Sequence, residues 1–449
     1  MPEQPVTLIV SDLHVGGGAN DPGDDHVSDQ VQFSAFVRAQ GNTSEGQRGD
    51  IELIINGDFL EFAQVRPEVY TLGSSTHWCS EPESLLKLEA ILAGHPDIFA
   101  ALSEFQQKDN RVTIAAGNHD VDLYWPRVQA RLREVAGPVA FELGNTCYTR
   151  YDGRLVIGHG HMYDPANMFA HWAHPFLTDE FGALRLEMCP GTIFMVKFVN
   201  WLEKSYPFAD NIKPVTALAR ILTKEDRWGL VVVGWMLTRF LRRYPKAALG
   251  ADTEAPKIGE RLVQLIAYDP HFAEKITALY RTVRDSQATT ETVQQLLTTE
   301  EALASFLVDV FVSVSPDEWL PAFDGIGGGT LGIGEKGKTL AIFQSGRIAE
   351  KELLRDKATG ELMKGRSQVV VFGHTHQPDR VQFADGGMYF NPGSWTRYVD
   401  LDQANTLTLN DLRREEDFPY QLNYVRVEAD PSDVLTAEMV CYQERIGTR

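Results

Sequence analysis

The residues of this 449-residue chain that could do chemistry fall into five short groups, and in each the donors are Asp, Asn or His. Asp12 and His14 flank Leu13, and Asp58 follows Gly57. Asn118, His119 and Asp120 follow Gly117; His159 and His161 alternate with Gly158 and Gly160; His374 and His376 flank Thr375 behind Gly373. Two imidazoles in an i, i+2 relation project to one side of an extended chain. Neutral imidazoles and carboxylates that face one way form a cation site. No cysteine belongs to any group, so the donor set is oxygen and nitrogen. Such a set suits Mn²⁺, Fe or Zn²⁺ and disfavours Ca²⁺ or a structural zinc.

Each group stands directly behind a short apolar run: Val6–Val10, Ile51–Ile55, Val112–Ala116, Leu155–Ile157 and Val369–Phe372. Short β-branched, apolar runs that end in Gly or a polar turn read as buried strands. Strands that each deliver a donor at their end should converge at the carboxyl edge of a sheet, where open α/β sheets place ligands.

Taken in order, Asp12-Leu13-His14, Gly57-Asp58, Gly117-Asn118-His119-Asp120, Gly158-His159-Gly160 and Gly373-His374-Thr375-His376 resemble the five signature motifs of the calcineurin-like metallophosphoesterase superfamily. The resemblance covers roughly the first 165 residues and the last 80 or so; it implies an α/β core of two packed mixed β-sheets flanked by helices, built from 1–164 and 346–449. It also implies two metal ions (Mn, Fe or Zn). One is expected on Asp12, His14, Asp58 and His376, and the other on Asp58, Asn118, His159 and His374, with Asp58 bridging. A bridging carboxylate holds two cations about 3.5–4 Å apart. The family's ligand His precedes a Gly, which selects His159 over His161. His161 then faces substrate, bonds behind the ligands, or is a surface-loop residue.

The resemblance further implies that His119 donates to the leaving oxygen and that Asp120 orients it, unless Asp120 is a turn residue. Glu61, in Gly57-Asp58-Phe59-Leu60-Glu61, stands where some relatives carry Asp; it reads as a hydrogen-bond partner behind the ligands or as a structural carboxylate. The implied activity is hydrolysis of a phosphodiester or organic pyrophosphate, by in-line attack of a metal-bridging hydroxide. Alternatives are a broad-specificity phosphomono- or triesterase on aromatic esters, and a non-catalytic scaffold on the same fold. His-Gly-His-x-x-Asp-Pro and Gly-Asp-Phe-Leu-Glu are most similar to the branch of UDP-2,3-diacylglucosamine hydrolases. Two departures stand against it: His119 replaces that branch's usual Arg, and the insertion is larger.

That insertion, 165–345, has helical spacing in Phe194–Trp201, Val215–Thr223, Ile258–Tyr268, Phe272–Val283 and Thr290–Phe311, and reads as a mostly helical cap. Trp228–Leu241, followed by Arg242, Arg243 and Lys246, is too short to cross a membrane. It reads as a buried cap helix, as a helix lying on a membrane through 228–246, or as the wall of a pocket for a lipid-like or aromatic small-molecule substrate. Gly332–Thr339 satisfies the P-loop expression, but no buried strand precedes it, so a loop near the cap hinge is the better reading.

A chain of 449 residues exceeds what one core serves, so two structural units are expected. The formal charge of −20 argues against nucleic acid as a partner. Cys79, Cys147, Cys189 and Cys441 are scattered and suit a reducing compartment. With no apolar signal core before the first strand, a cytoplasmic protein is expected.

Overall fold

The computed structural model describes residues 5–18, 30–70, 77–164, 167–200, 221–222, 263, 266–299, 368–376, 378–382, 386–396, 408, 422–430 and 434–442, with 302–303, 305–306, 309–310 and 314. The strands are β1 (Val6–Val10), β2 (Ile51–Asn56), β3 (Arg111–Ala115), β4 (Ala140–Glu142), β5 (Tyr148–Arg150), β6 (Leu155–Ile157), β7 (Phe176–Thr178), β8 (Leu184–Leu186), β9 (Val369–Val371), β10 (Pro378–Gln382), β11 (Met388–Pro392), β12 (Asn423–Ala429) and β13 (Leu435–Cys441). They form a mixed sheet in the order β13-β12-β1-β2-β3-β4, a second mixed sheet β10-β11-β9-β6-β5, and the hairpin β7-β8.

The two larger sheets pack face to face, which explains why the motif-bearing runs are mostly apolar on both faces. Ile9, Ile54 and Ala115 point toward Leu155, Ile157, Val369, Val371 and Phe390 of the second sheet. Their neighbours Leu8, Val10, Leu53, Ile55, Val112 and Ile114 point the other way, into a layer with Phe33, Phe36, Leu88, Ile98 and Leu132. Alternation is hidden when both faces are covered. The helices that cover the outer face include Glu81–Gly94, opened by a Ser80/Glu83 capping box, and Pro96–Gln106.

Register fixes where the motifs emerge. β1, β2 and β3 run parallel, with Val10 opposite Ile55 and Asn56 opposite Ala115, so Asp12, Asp58 and Asn118 leave the sheet at one edge. β6 and β9 are parallel with Ile157 opposite Val371, which brings Gly158 beside Phe372.

Among the described residues of 165–345, β7 and β8 form an antiparallel hairpin that the helical reading did not include. Each strand is three residues long, too short to show a period. Phe169, Trp172, Leu186, Phe194, Val199 and Leu222 join the core of the first sheet. The helices Pro270–Val283 and Thr290–Leu296 instead gather a separate apolar cluster around Ile276, Val293 and Phe306. The segment 228–246, the Gly-rich 325–337, most of Gly16–Asp25, and most of Val215–Thr223 and Ile258–Tyr268 lie outside the described residues. Among the described residues no helix is long and apolar enough to cross a membrane. All four cysteines are free thiols.

Candidate metal centre

The loops that leave the sheets are stitched together before any side chain is considered. The His14 N–H donates to the Asp58 carbonyl at 2.9 Å, Gly373 N–H to the His159 carbonyl at 2.9 Å, and Trp395 N–H to the Asp12 carbonyl at 3.1 Å. Asp12, His14, Asp58, His374 and His376 all adopt positive φ, between 49° and 71°. Non-glycine residues there cost on the order of 1–3 kcal/mol each, and such strain gathers at functional sites. Two glycines are required by close approach: a Cβ on Gly57 would run into the His159 ring, and one on Gly117 into the Asp58 carboxylate.

Six of the seven expected ligands fall into two groups at this edge. Asp12, His14, Asp58 and His376 form one group in which every donor atom lies within 4.8 Å of the others, and Asp58, His159 and His374 form a second. Asp58 belongs to both. Within the first, His14 Nε2 stands 3.1 Å from His376 Nε2 and 3.7 Å from Asp58 Oδ2, and His376 Nε2 is 3.4 Å from Asp12 Oδ1. Within the second, His159 Nε2 is 3.1 Å from Asp58 Oδ2 without hydrogen-bond geometry. Asn118 is buried, and its Oδ1 has no hydrogen-bond partner.

Tautomers make this convergence more pointed. His14 Nδ1 donates to Glu61 Oε2 at 2.7 Å, and His159 Nδ1 donates to the Asn56 carbonyl at 2.9 Å. Each bond leaves a lone pair on Nε2, and both lone pairs face Asp58 Oδ2. Lone pair against lone pair in a buried pocket is stable only around a shared positive charge. The electrostatics show the same demand for positive charge: burial works to lower the His159 pKa, but the Asp58 and Asp12 carboxylates outweigh it and raise it to about 10, so without a cation a proton on Nε2 takes that place. For Asp58, burial pushes upward, yet His159 and His119 hold the carboxylate well below its ordinary range. Buried oxygen and nitrogen donors with orphaned lone pairs fit divalent or trivalent cations such as Mn, Fe or Zn.

Beside the first group, Glu61 takes a central position. It is fully buried and accepts from His119 Nδ1 with both oxygens, at 2.9 and 2.7 Å, while also accepting from His14. Burial would raise its pKa, but the charge and hydrogen bonds of His119 and His14 prevail and hold it at about 2. Asp120, expected to orient His119, does different work. Its oxygens accept the backbone N–H of Gly117 at 2.5 Å and of Phe59 at 2.8 Å, tying the second and third loops together. Burial, together with the Asp58 charge, pushes the Asp120 carboxyl up. The carboxylate bonded to His119 Nδ1 is that of Glu61.

His161 is not a surface residue. It is 3% exposed, its ring sits 4.3 Å from that of Trp172 and 5.3 Å from that of His159, and neither nitrogen has a hydrogen-bond partner. Burial pushes its pKa well below the ordinary value, so it is a neutral imidazole behind the second group.

Several participants carry no motif. Ser11 Oγ donates to Asp12 Oδ2 at 2.5 Å, Asn56 holds His159, and Asn391 Nδ2 donates to the Gly373 carbonyl at 2.8 Å. Asp164 and Asn167 also reach the site, at His374 and Asn118. A polar residue closing an apolar run, as Asn56 does, is the one signal that could have marked any of them. Compared with known proteins, the chain matches no family model and no curated protein.

Proposed function

We propose that this chain is a two-cation phosphoester hydrolase of the calcineurin-like metallophosphoesterase kind, in which residues 165–345 supply a cap. Asp12, His14, Asp58 and His376 would hold one ion, and Asp58, Asn118, His159 and His374 the other. The observation that carries this reading is the presence of the Asp58 carboxylate in both donor groups. Bound there, a cation pair would supply charge to neutralise phosphoryl oxygens and to lower the pKa of a water. The motif order along the chain supports the same reading.

The protein's own residues supply the rest. Glu61 fixes the His119 ring through Nδ1, which makes Nε2 the atom that hands a proton to the leaving oxygen. The His119 side chain is 16% exposed against 3% for that of His14, so substrate reaches the first and not the second. Asp120 keeps the Asp58 and Asn118 loops in register. The substrate class is a phosphodiester or a pyrophosphate that bears an organic group.

A panel of aryl phosphate mono-, di- and triesters, assayed with metal-stripped and Mn²⁺-, Zn²⁺- or Fe-reloaded protein, tests this. Metal-dependent turnover with diester preference is expected. Triester or monoester preference would move the substrate class, and two bound ions without turnover on any ester would make the chain a scaffold.

A further inference from the structure

The geometry points to Asp164 and Asn167 as positioning residues that make His374 and Asn118 present the correct atoms to the second cation site. This inference rests on the two-cation reading above. Gly160, at φ 108°, opens a turn over His161–Tyr163 that leads straight from His159 to Asp164. Within it, Tyr163 N–H donates to the Gly160 carbonyl and Asp164 N–H to the His161 carbonyl, both at 3.0 Å. Asp164 then accepts the Asn167 N–H at 2.9 Å, which sets the two side chains beside each other.

What they do follows from donors and acceptors. His374 Nε2 donates to Asp164 Oδ2 at 3.0 Å, a bond that assigns its proton to Nε2 and leaves the lone pair on Nδ1. Nδ1 is therefore the nitrogen for the group with Asp58 and His159. Asn167 Nδ2 donates to the same Asp164 oxygen at 2.7 Å, so the Asn167 amide is oriented with Oδ1 turned away. That Oδ1 accepts from Asn118 Nδ2 at 3.4 Å. Asn118 is thus fixed with nitrogen toward Asn167 and with Oδ1, the atom a cation needs, left without a protein partner. One carboxylate, through one amide, settles both the tautomer of a histidine and the flip of an asparagine.

The effect is confined to one site. In the first group, His14 is braced by Glu61 and Asp12 by Ser11. Disrupting the Asp164–Asn167 pair should therefore weaken one ion and spare the other. Loss of a bond behind a metal ligand typically costs 10–100-fold in metal affinity.

The test uses the full chain, stripped by chelator and titrated with Mn²⁺. Bound ions per chain are measured by elemental analysis and affinities by calorimetry. The parent should bind two ions. Asp164→Ala and Asn167→Ala should each keep one ion at parental affinity and bind the second about 10–100-fold more weakly. Asp164→Asn, which retains an acceptor oxygen, should recover part of the loss. Circular dichroism confirms that each variant is folded, and Asn167→Ala tests the amide arm separately should Asp164→Ala not fold. Parental affinity for both ions in the two alanine variants overturns the inference, as does equal weakening of both sites. A parent that binds fewer than two ions at saturation refutes the two-cation reading, and this inference with it.

Discussion

Replacing Glu61 with Gln is the perturbation that bears most directly on how the site works. The side chain keeps its shape, but one of two acceptor oxygens becomes a donor facing an imidazole N–H. Glu61 Oε2 receives both His14 Nδ1 and His119 Nδ1 at 2.7 Å, while Oε1 receives His119 Nδ1 at 2.9 Å and the Ala63 N–H at 3.1 Å, so Gln can keep its oxygen at the Oε2 position for both rings but loses the charge and turns an NH2 toward two donors. The two imidazoles lower the Glu61 pKa from 4.5 to about 2, which at about 1.4 kcal/mol per pKa unit is worth about 3 kcal/mol. Because the folded value is the lower one, that stabilisation is present above pH 4.5 and lost only as pH falls toward 2. At pH 7 the variant feels all of it. If the charge acts mainly on the His119 proton in the transition state, turnover should fall about 100-fold. The assay compares aryl diesters with a good and a poor leaving group at saturating Mn²⁺, which also compensates for any loosening of His14. Glu61→Gln should slow the poor leaving group about 100-fold and the good one far less. Equal slowing of both, or none, would refute a role for Glu61 in leaving-group protonation.

Three further outcomes follow from the same geometry. His119→Ala should retain both ions and lose about 10²–10⁴-fold in turnover, whereas Asp58→Ala should lose both ions because its carboxylate serves both groups; elemental analysis beside kinetics separates the two. Gly117→Ala should abolish tight metal binding, since the new methyl meets the Asp58 carboxylate, and retention of two ions would show the loop yields more easily than its contacts imply. Burial pushes Asp122 up to about 6, against hydrogen bonds from Ser84 and Trp78, so folded-state stability should decline as pH rises from about 4 through 6. Asp122→Asn removes this slope and gains up to about 3 kcal/mol relative to the parent above pH 6, read by urea unfolding across pH.

How far the sequence reached can be judged residue by residue. The motif-bearing strands were legible because runs such as Val369–Val371 are buried on both faces, which leaves a continuous apolar signature. The ligands were legible because register carries them to a common edge. The partners behind them were legible only as alternatives: Glu61 reads as a hydrogen-bond partner or a structural carboxylate, with nothing to say which ring it serves. Glu61 meets His119 across 58 positions of sequence, and nothing local distinguishes a shared carboxylate from one that faces solvent. Asp120 sits beside His119 in sequence yet spends its oxygens on two backbone amides, a choice made by loop packing. His161 is buried by Trp172 and Phe169, whose approach depends on how 167–172 folds back onto the sheet. The hairpin at 176–186 escaped because strands of three residues show no period.

The bond between the His374 amide and the Asp12 carboxylate spans 362 positions, and β1 itself is flanked by β12. During translation, at roughly 5–20 residues per second, the first donors leave the ribosome tens of seconds before their last partners. The two donor groups are complete only once β9 lies beside β6, so a truncation that removes the final strands yields a polypeptide with most of the donors and neither group whole.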